Sequence, residues 1–275
     1  EITHVIRGQE FIASMPNYLN LYEALGLERP IFATMPHIMA ESGNKKLGKR
    51  DGAKDVLEYL NDGYLPETII NFIASLGWND GTEQEIFTVS ELIEKFSLDR
   101  VHHSGARFDE KRLEWMNGQN IRKLSLDDLA QRVKPFWSEP ALAASAEARH
   151  QVLALVQDRL KTLKDLPTLT SYFFEEPTAD WSLVETNKQL ARLSAEERTA
   201  LLQTARTALV ESAFDADSLQ YTLNQLLETT GQKPGILFSL IRVVVSWAPF
   251  SPALHDTLTV LGKDRVLARL DAAIQ

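Results

Sequence analysis

Residues 236–245 read Ile-Leu-Phe-Ser-Leu-Ile-Arg-Val-Val-Val, a nearly unbroken apolar stretch. A helix that is apolar on every side is buried, so we expect this stretch to form the central helix of the last domain. Its one charged residue, Arg242, is costly inside an apolar helix unless a partner group meets it. The stretch therefore predicts a helical core and a partner for Arg242, either an acidic side chain or a bound molecule.

Helix signals recur along the rest of the chain. Pro66 stands where a first-turn proline belongs, ahead of apolar residues at helical spacing. Two capping boxes, Thr88 with Glu91 and Ser194 with Glu197, predict the starts of two further helices. The chain is therefore predicted to be mainly α, with a little β structure at its front.

Three other helix boundaries are expected from local signals. Residues 152–163 carry an apolar stripe that predicts one helix, which Pro167 ends. Asp217 is a candidate cap for the next long helix. Ser251 and Pro252 are typical of an N-cap followed by a first-turn proline.

The first residues predict a short strand, because Ile2 to Ile6 are rich in β-branched side chains. An isolated strand is unstable without a partner. We therefore expect the chain to be the back part of a longer protein, and an edge strand of a complete domain is the alternative.

Composition limits the classes of function. The 275 residues suffice for one large domain or two to three small ones, and 44% apolar residues exclude a disordered chain. The formal net charge of −9 argues against coating of a nucleic acid by bulk charge, so RNA binding would need local patches. The absence of cysteine excludes thiolate zinc sites and cysteine nucleophiles, and no apolar run is long enough to span a membrane.

The densest positive charge lies in residues 43–52, which read GNKKLGKRDG. Four of the six residues from 45 to 50 are basic. The flanking glycines allow the loop to bend around a ligand and to bring its cations to one point. Convergent cations suit a polyphosphate, whose charge they neutralise as a leaving group departs. A solvated basic loop is the alternative that charge alone leaves open.

Several motifs together resemble one family. KLGKRDGA at 46–53 is similar to the KMSKS-type loop of class I aminoacyl-tRNA synthetases, in the form typical of bacterial glutamyl-tRNA synthetases. THVIRGQEF at 3–11, LYEALG at 21–26 and LEWMNG at 113–118 resemble further segments of that family, in the same order. Gly48 stands where the family usually has serine, and no HIGH-type signature precedes the loop. We therefore expect this chain alone to be inactive in amino-acid activation.

The resemblance implies an organisation in four parts. Residues 1–8 would be the tail of a Rossmann catalytic fold, and 9–123 a stem-contact region with the KMSKS-type loop at 46–50. Residues 124–181 and 182–275 would be two helical anticodon-binding domains. For the intact enzyme the resemblance implies L-glutamate, ATP with Mg²⁺ and tRNA(Glu) as ligands. It also implies a cytoplasmic monomer with no membrane partner.

The same resemblance implies roles for residues of the front half. Arg7 would bind the substrate glutamate, because a planar guanidinium meets a carboxylate with two N–H groups. A structural ion pair with Glu10 is the alternative. Glu10 and Phe11 would lie near the amino acid and the 3′-terminal adenosine, although Phe11 is equally typical of core. The residues implied for ATP are Lys46, Lys49 and Arg50 at the phosphates, with Ile38 and Met39, which are equally typical of core, around adenine.

In the back half the resemblance implies contacts to the anticodon. Arg159 would read the third base and help to separate tRNAs that end in C from those that end in U or G, since arginine presents two donors to a base edge. An RNA group would meet Arg242. Ser251, Pro252 and Leu254 would lie near the same bases. A surface charge at Arg159 and a plain helix start at Ser251-Pro252 are the alternatives.

Two other functions remain open at this point. One is a helical protein-interaction module without an RNA role, which the net charge of −9 favours modestly. The other is a relative that charges tRNA(Gln) as well as tRNA(Glu). His102 and His103 lack a partner at metal-ligand spacing, so no metal site is expected.

Overall fold

The computed structural model of the protein describes residues 2–48, 54–249 and 251–275. Its contacts divide the chain into two compact units, residues 1–123 and residues 124–275. The chain is mainly α, as predicted. The finer organisation into four parts stays a prediction.

The first unit contains the β structure. The strand predicted at the front lies at His4–Gly8 (β1) and pairs in parallel with Ile31–Met35 (β2). Parallel strands need a crossover connection, and the helix Met15–Ala24 (α1) lies in it. A second parallel pair joins Ile38–Met39 (β3) to Ala106–Arg107 (β4).

Four more helices build the core of the first unit: Val56–Asn61 (α2), Pro66–Ser75 (α3), Val89–Lys95 (α4) and Glu110–Lys123 (α5). Pro66 lies in the first turn of α3, and Thr88 with Glu91 forms the capping box of α4, as predicted. Aromatic side chains of α2 and α3 pack against Leu113 and Met116 of α5. This core carries the surface from which the basic loop extends.

Within its described residues, the second unit contains ten α-helices. Those before residue 190 are Leu126–Arg132 (α6), Glu139–Ala143 (α7), Ala146–Val156 (α8), Leu166–Phe174 (α9) and Ser182–Glu185 (α10). The remaining ones are Ala195–Glu211 (α11), Ala216–Thr230 (α12), Pro234–Ser246 (α13), Leu254–Leu261 (α14) and Lys263–Ile274 (α15). Ser194 and Glu197 form the predicted capping box of α11.

The apolar stretch at 236–245 lies in α13, as predicted, and six of its ten residues are buried. Helices α11, α12 and α15 pack around α13. Within the described residues, no helix combines the length and the apolar character that crossing a bilayer requires. The helix is therefore the centre of the unit's own core.

Four predicted helix boundaries are wrong, three of them before α13. Helix α8 ends at Val156, and the buried residues that follow it belong to single 3-10 turns and coil. Pro167 lies in the first turn of α9 instead of ending a helix. The cap of α12 is Asp215, two residues before Asp217. At the end of α8 the apolar spacing continues past the helix because the buried side chains of Leu160 and Leu163 also pack into the core.

The start of α14 differs in the same way. Its N-cap is Ala253, so Ser251 and Pro252 precede the helix and do not open it. Both side chains are buried, which explains their apolar and small character without a capping role.

Candidate functional site

The basic loop of the first unit begins as a tight hairpin on β3. Ala40 N–H donates to the carbonyl of Lys45 at 2.9 Å, and Leu47 N–H donates to the carbonyl of Ile38 at 2.8 Å. Gly43 turns the chain between them with a φ of +72°, a value that glycine adopts without strain. This backbone pairing fixes where Lys46 leaves the loop.

Lys46 contacts Glu10, another of the predicted site residues. Its Nζ lies 3.2 Å from Glu10 Oε1, and His37 Nδ1 lies 3.5 Å from Glu10 Oε2. A backbone hydrogen bond and then the hydrogen bond from Lys46 hold the pKa of Glu10 below its ordinary value. Since both side chains are about half exposed, an anionic ligand can replace the carboxylate as partner of Lys46. Lys49 and Arg50 lie outside the described residues.

Arg7 extends from β1 over two aromatic rings. Its guanidinium carbon lies 4.7 Å from the ring centre of Phe11 and 5.7 Å from that of Tyr18. These cation–π contacts fix the orientation of the guanidinium plane and leave its N–H groups available to a ligand. The alternative ion pair with Glu10 is absent, since Glu10 binds Lys46 and His37 instead. Within the described residues no carboxylate pairs with Arg7. Its guanidinium can therefore donate two parallel hydrogen bonds to the carboxylate of a ligand.

The apolar candidates of the first unit are partly exposed. Phe11 is 38% exposed and Ile38 is 37% exposed, while Met39 is half-buried. None of the three side chains is therefore fully buried in a core. Ile38 and Met39 form β3, from which the basic loop starts, so the two apolar residues and Lys46 border one surface.

Arg107 is a basic residue beside the loop that sequence reasoning missed. Its guanidinium packs on the backbone of Gly43, where an added Cβ would lie 2.5 Å from Arg107 Nε. Among the described side chains, none forms an ion pair or hydrogen bond with it. The pairing of β3 with β4 brings the loop that follows β3 next to Arg107, so no local pattern in the sequence indicates the contact.

The second unit contains the other cluster of predicted residues. Arg159 lies in the single 3-10 turn that follows α8, Arg242 lies on α13, and Tyr172 lies on α9. The Nε of Arg242 and the hydroxyl of Tyr172 are buried and have no hydrogen-bond partner among the described residues. Sequence reasoning missed Tyr172, since one tyrosine in an apolar helix is an ordinary core residue.

This cluster carries positive charge that no described acidic side chain balances. Burial lowers the pKa of Arg242, and the positive charge of Arg159 lowers it further. Burial raises the pKa of the Tyr172 phenol, so the phenol stays neutral. Neither Arg159 nor Arg242 forms an ion pair within the part of the chain that the structure describes. Two guanidinium groups and one neutral hydroxyl suit a ligand that is rich in hydrogen-bond acceptors.

The other three anticodon candidates are buried. Ser251 is 4% exposed and donates its hydroxyl to the carbonyl of Pro252 at 3.2 Å, and Leu254 is 4% exposed. Their side chains support the start of α14 from inside the unit. A direct contact of these residues with RNA stays a prediction.

No group of three or more histidine, aspartate or glutamate side chains is arranged to hold a metal ion in the described ranges. The Nε2 of His102 lies 3.0 Å from the side-chain amide of Asn79. This histidine is part of a polar loop.

Two protein families match consecutive parts of the chain. Residues 1–115 match tRNA synthetases class I (E and Q), catalytic domain. Residues 128–274, more than half of the chain, match the anticodon binding domain family. The first match contains the basic loop, and the second contains Arg159 and Arg242.

Named relatives agree with these matches. Glutamate–tRNA ligase of Chloroflexus aurantiacus is 37% identical over all of this chain and 56% of the relative's length. That of Herpetosiphon aurantiacus is 38% identical over 99% of this chain and 56% of its own length. The crystal structure of a glutamate tRNA ligase from Elizabethkingia meningosepticum, in complex with its amino acid, superposes with a TM-score of 0.84 at 29% identity. The superposition covers 99% of this chain and 57% of the Elizabethkingia meningosepticum chain. The chain therefore belongs to the glutamate–tRNA ligase family of class I aminoacyl-tRNA synthetases, and it spans about half the length of the curated relatives that it matches.

Proposed function

We propose that this chain is the tRNA-binding part of a glutamate–tRNA ligase, in which residues 124–275 hold the anticodon of tRNA(Glu). The observation that carries the proposal is the pair of Arg159 and Arg242, which have no acidic partner among the described residues. The match of residues 128–274 to the anticodon binding domain family supports it.

The energetics of Arg242 favour an RNA partner. A half-buried guanidinium without a partner destabilises the folded chain, so its presence is explained best by a bound group that accepts its hydrogen bonds. The unpaired bases of an anticodon loop expose such acceptors at their edges. One good bidentate contact between arginine and a base contributes about 1–3 kcal/mol of discrimination.

Substitution of Arg242 by methionine tests the proposal. Methionine has a similar shape without charge, so Arg242→Met is expected to raise the melting temperature and to weaken tRNA(Glu) binding about tenfold. Arg192→Ala is the matched control, since Arg192 is an exposed arginine of the same unit without a described partner. Binding of the purified chain to tRNA(Glu) and to an unrelated tRNA is measured across a salt series.

The alternative function predicts a different result. A helical protein-interaction module would gain the same stability from Arg242→Met but would bind both tRNAs equally before and after the change. Equal affinity of the unsubstituted chain for the two tRNAs at every salt concentration would contradict the proposal.

Specificity for tRNA(Glu) is proposed to depend on Arg159. Its exposed position after α8 leaves guanidinium N–H groups available for a bidentate contact with the third anticodon base. Arg159→Gln is expected to reduce the preference for tRNA(Glu) over tRNA(Gln) by about tenfold while changing general tRNA affinity little. An unchanged preference for tRNA(Glu) in Arg159→Gln would favour the alternative in which this chain belongs to an enzyme that charges both tRNAs.

In the intact enzyme the first unit is proposed to contribute to glutamate activation. Lys46, with Lys49 and Arg50, would hold the phosphates of ATP, and Lys46 would exchange Glu10 for a phosphate oxygen. Mg²⁺ bound with ATP would supply further charge neutralisation. Arg7 would bind the substrate carboxylate. The remaining proposed contacts are Glu10 and Phe11 near the amino acid and terminal adenosine, and Ile38 and Met39 around adenine.

A further inference from the structure

Three short chain segments lie side by side at the base of the basic loop. Met39 is in the middle, because it pairs in parallel with Arg107 on one side and forms an antiparallel bridge with Lys46 on the other. Residues that pair directly across strands place their side chains on the same face. Met39, Lys46 and Arg107 therefore share one face, and two strand spacings separate the Cα atoms of Lys46 and Arg107 by about 10 Å.

The opposite face of these segments belongs to the core of the first unit. Leu47 is half-buried and lines an apolar cavity together with Phe72. Ala106 is also half-buried and packs against the core cluster that contains Phe72. Since neighbouring residues of an extended segment point to opposite faces, Lys46 and Arg107 project away from the core, and both are exposed.

The exposed face carries more positive charge than the described carboxylates balance. Glu10 contacts two basic side chains, Lys46 at 3.2 Å and His37 at 3.5 Å. In the described part of the first unit, no carboxylate contacts Arg107. One acid thus serves two bases, and the charge of Arg107 is left without a counter-ion. An anion that lies over Met39 would meet a cation on each side.

The position of the Arg107 guanidinium is restricted before any ligand binds. It packs on the turn at Gly43, where no Cβ displaces it. A side chain that is already ordered loses less conformational entropy when it binds a ligand. A guanidinium can also donate two parallel hydrogen bonds to one phosphate group. Both properties suit a phosphate ligand beside the basic loop.

We propose that Arg107 is a further phosphate-binding residue of the ATP site, and that Arg107 and Lys46 hold the triphosphate from opposite sides of Met39. This role rests on the proposed function of the first unit and adds to it a cation from β4, outside the basic loop. Two positioned cations neutralise more of the phosphate charge than Lys46 alone.

Binding of inorganic triphosphate and of ATP to the purified chain tests the role of Arg107. Titration calorimetry at constant ionic strength removes the general effect of salt. Arg107→Gln keeps a polar side chain without the charge and is expected to weaken binding of both ligands about tenfold. Arg107→Lys keeps the charge but loses the paired donors, so a loss of about threefold is expected. Lys111→Gln, which removes an exposed cation of α5, is the matched control and is expected to change nothing.

A local measurement separates ligand contact from an effect on folding. The Nε–H resonance of Arg107, identified by its absence in Arg107→Gln, is expected to shift when triphosphate is added to the unsubstituted chain. Melting temperatures of all variants are measured in parallel. A resonance that stays in place while triphosphate binds would contradict the proposed contact.

Lys46→Gln separates the failure of this inference from the failure of the proposed ATP site. If Lys46→Gln weakens triphosphate binding and Arg107→Gln does not, the role of Arg107 is refuted and that of the basic loop stands. If neither change weakens binding, or if the unsubstituted chain does not bind triphosphate, both fail. If Arg107→Gln weakens binding of tRNA(Glu) but not of triphosphate, Arg107 binds an RNA phosphate and the inference is wrong. The anticodon proposal is tested separately by Arg242→Met.

Discussion

The pKa of one buried carboxyl group in the first unit depends on three hydrogen bonds. Asp80 is 8% exposed and accepts from Lys95 Nζ at 2.8 Å, from Thr82 N–H at 3.0 Å and from Thr82 Oγ1 at 2.6 Å. The bond from Lys95, followed by that from the Thr82 hydroxyl, lowers the pKa of Asp80 to about 2. The carboxylate joins α4 to the preceding loop.

Asp80 is predicted to make the stability of the first unit depend on acidic pH. Because its folded pKa of about 2 lies below the ordinary value of 3.8, its stabilising effect is complete above pH 3.8 and declines as the pH falls toward 2. Asp80→Asn should lower the free energy of unfolding at pH 6, and the difference should shrink near pH 2. Urea unfolding at both pH values measures it. Glu94→Gln, which removes an exposed acid of the same helix, is the matched control.

Gly43 is predicted to be intolerant of a side chain for two separate reasons. Its φ of +72° strains any residue with a Cβ, at a cost of about 1–2 kcal/mol. The same Cβ would displace the Arg107 guanidinium. Gly43→Ala should therefore lower the free energy of unfolding, and adding Arg107→Ala should restore only part of it. Full restoration in the double variant would show that the backbone conformation is not strained. Chemical denaturation of the parent chain, Gly43→Ala, Arg107→Ala and the double variant separates the cost of backbone strain from the cost of displacing the guanidinium.

Helix starts in both units depend on contacts within four residues. In α11 the hydroxyl of Ser194 accepts from Glu197 N–H at 3.2 Å, and Ser194 N–H donates to the Glu197 carboxylate at 2.7 Å. In α4 the same reciprocal arrangement joins Thr88 and Glu91. Such caps satisfy backbone N–H groups that have no partner inside the helix.

Loss of the cap of α11 is predicted to destabilise the second unit by about 1 kcal/mol. Ser194→Ala removes the side-chain acceptor and leaves the Glu197 N–H without its partner. Thermal and urea unfolding should report this loss. Ser182→Ala is not a suitable control, because the Ser182 hydroxyl donates a hydrogen bond to the Asp180 carboxylate. Thr207→Ala, at an exposed hydroxyl inside α11, is the control and should change stability little. Equal stability of Ser194→Ala and the parent chain would contradict a role of the cap.

At the scale of the whole molecule, contacts concentrate inside residues 1–123 and inside residues 124–275. Each unit has its own buried core, with Leu113 in the first and Leu240 in the second. Units that bury their own cores are able to unfold separately.

Two separate unfolding transitions are therefore predicted for the intact chain. Leu240→Ala, which removes a fully buried side chain, should shift one transition by about 2–5 kcal/mol and leave the other unchanged. Leu113→Ala should shift only the other. Calorimetry of both variants tests this, and a common shift of both transitions would show that the chain unfolds as one cooperative unit.

The sequence by itself determined the helical class, the capping boxes of α4 and α11, and the burial of α13. Each depends on interactions between residues at most a few positions apart, or on apolar character that is visible in composition. Its motifs were also sufficient for the family resemblance. The end of α8 was misjudged because Leu160 and Leu163 are buried without belonging to an α-helix, so apolar spacing alone could not reveal the break.

Only the tertiary structure decided which charges remain unbalanced. Arg107 reaches Gly43 through pairing of β3 with β4, Lys46 finds Glu10, and no described acid approaches Arg242. Trp181 and Trp247 likewise meet across 66 positions of sequence. The physical reason is that burial, electrostatic balance and ring contacts depend on neighbours brought together by packing, and packing is not encoded in local spacing.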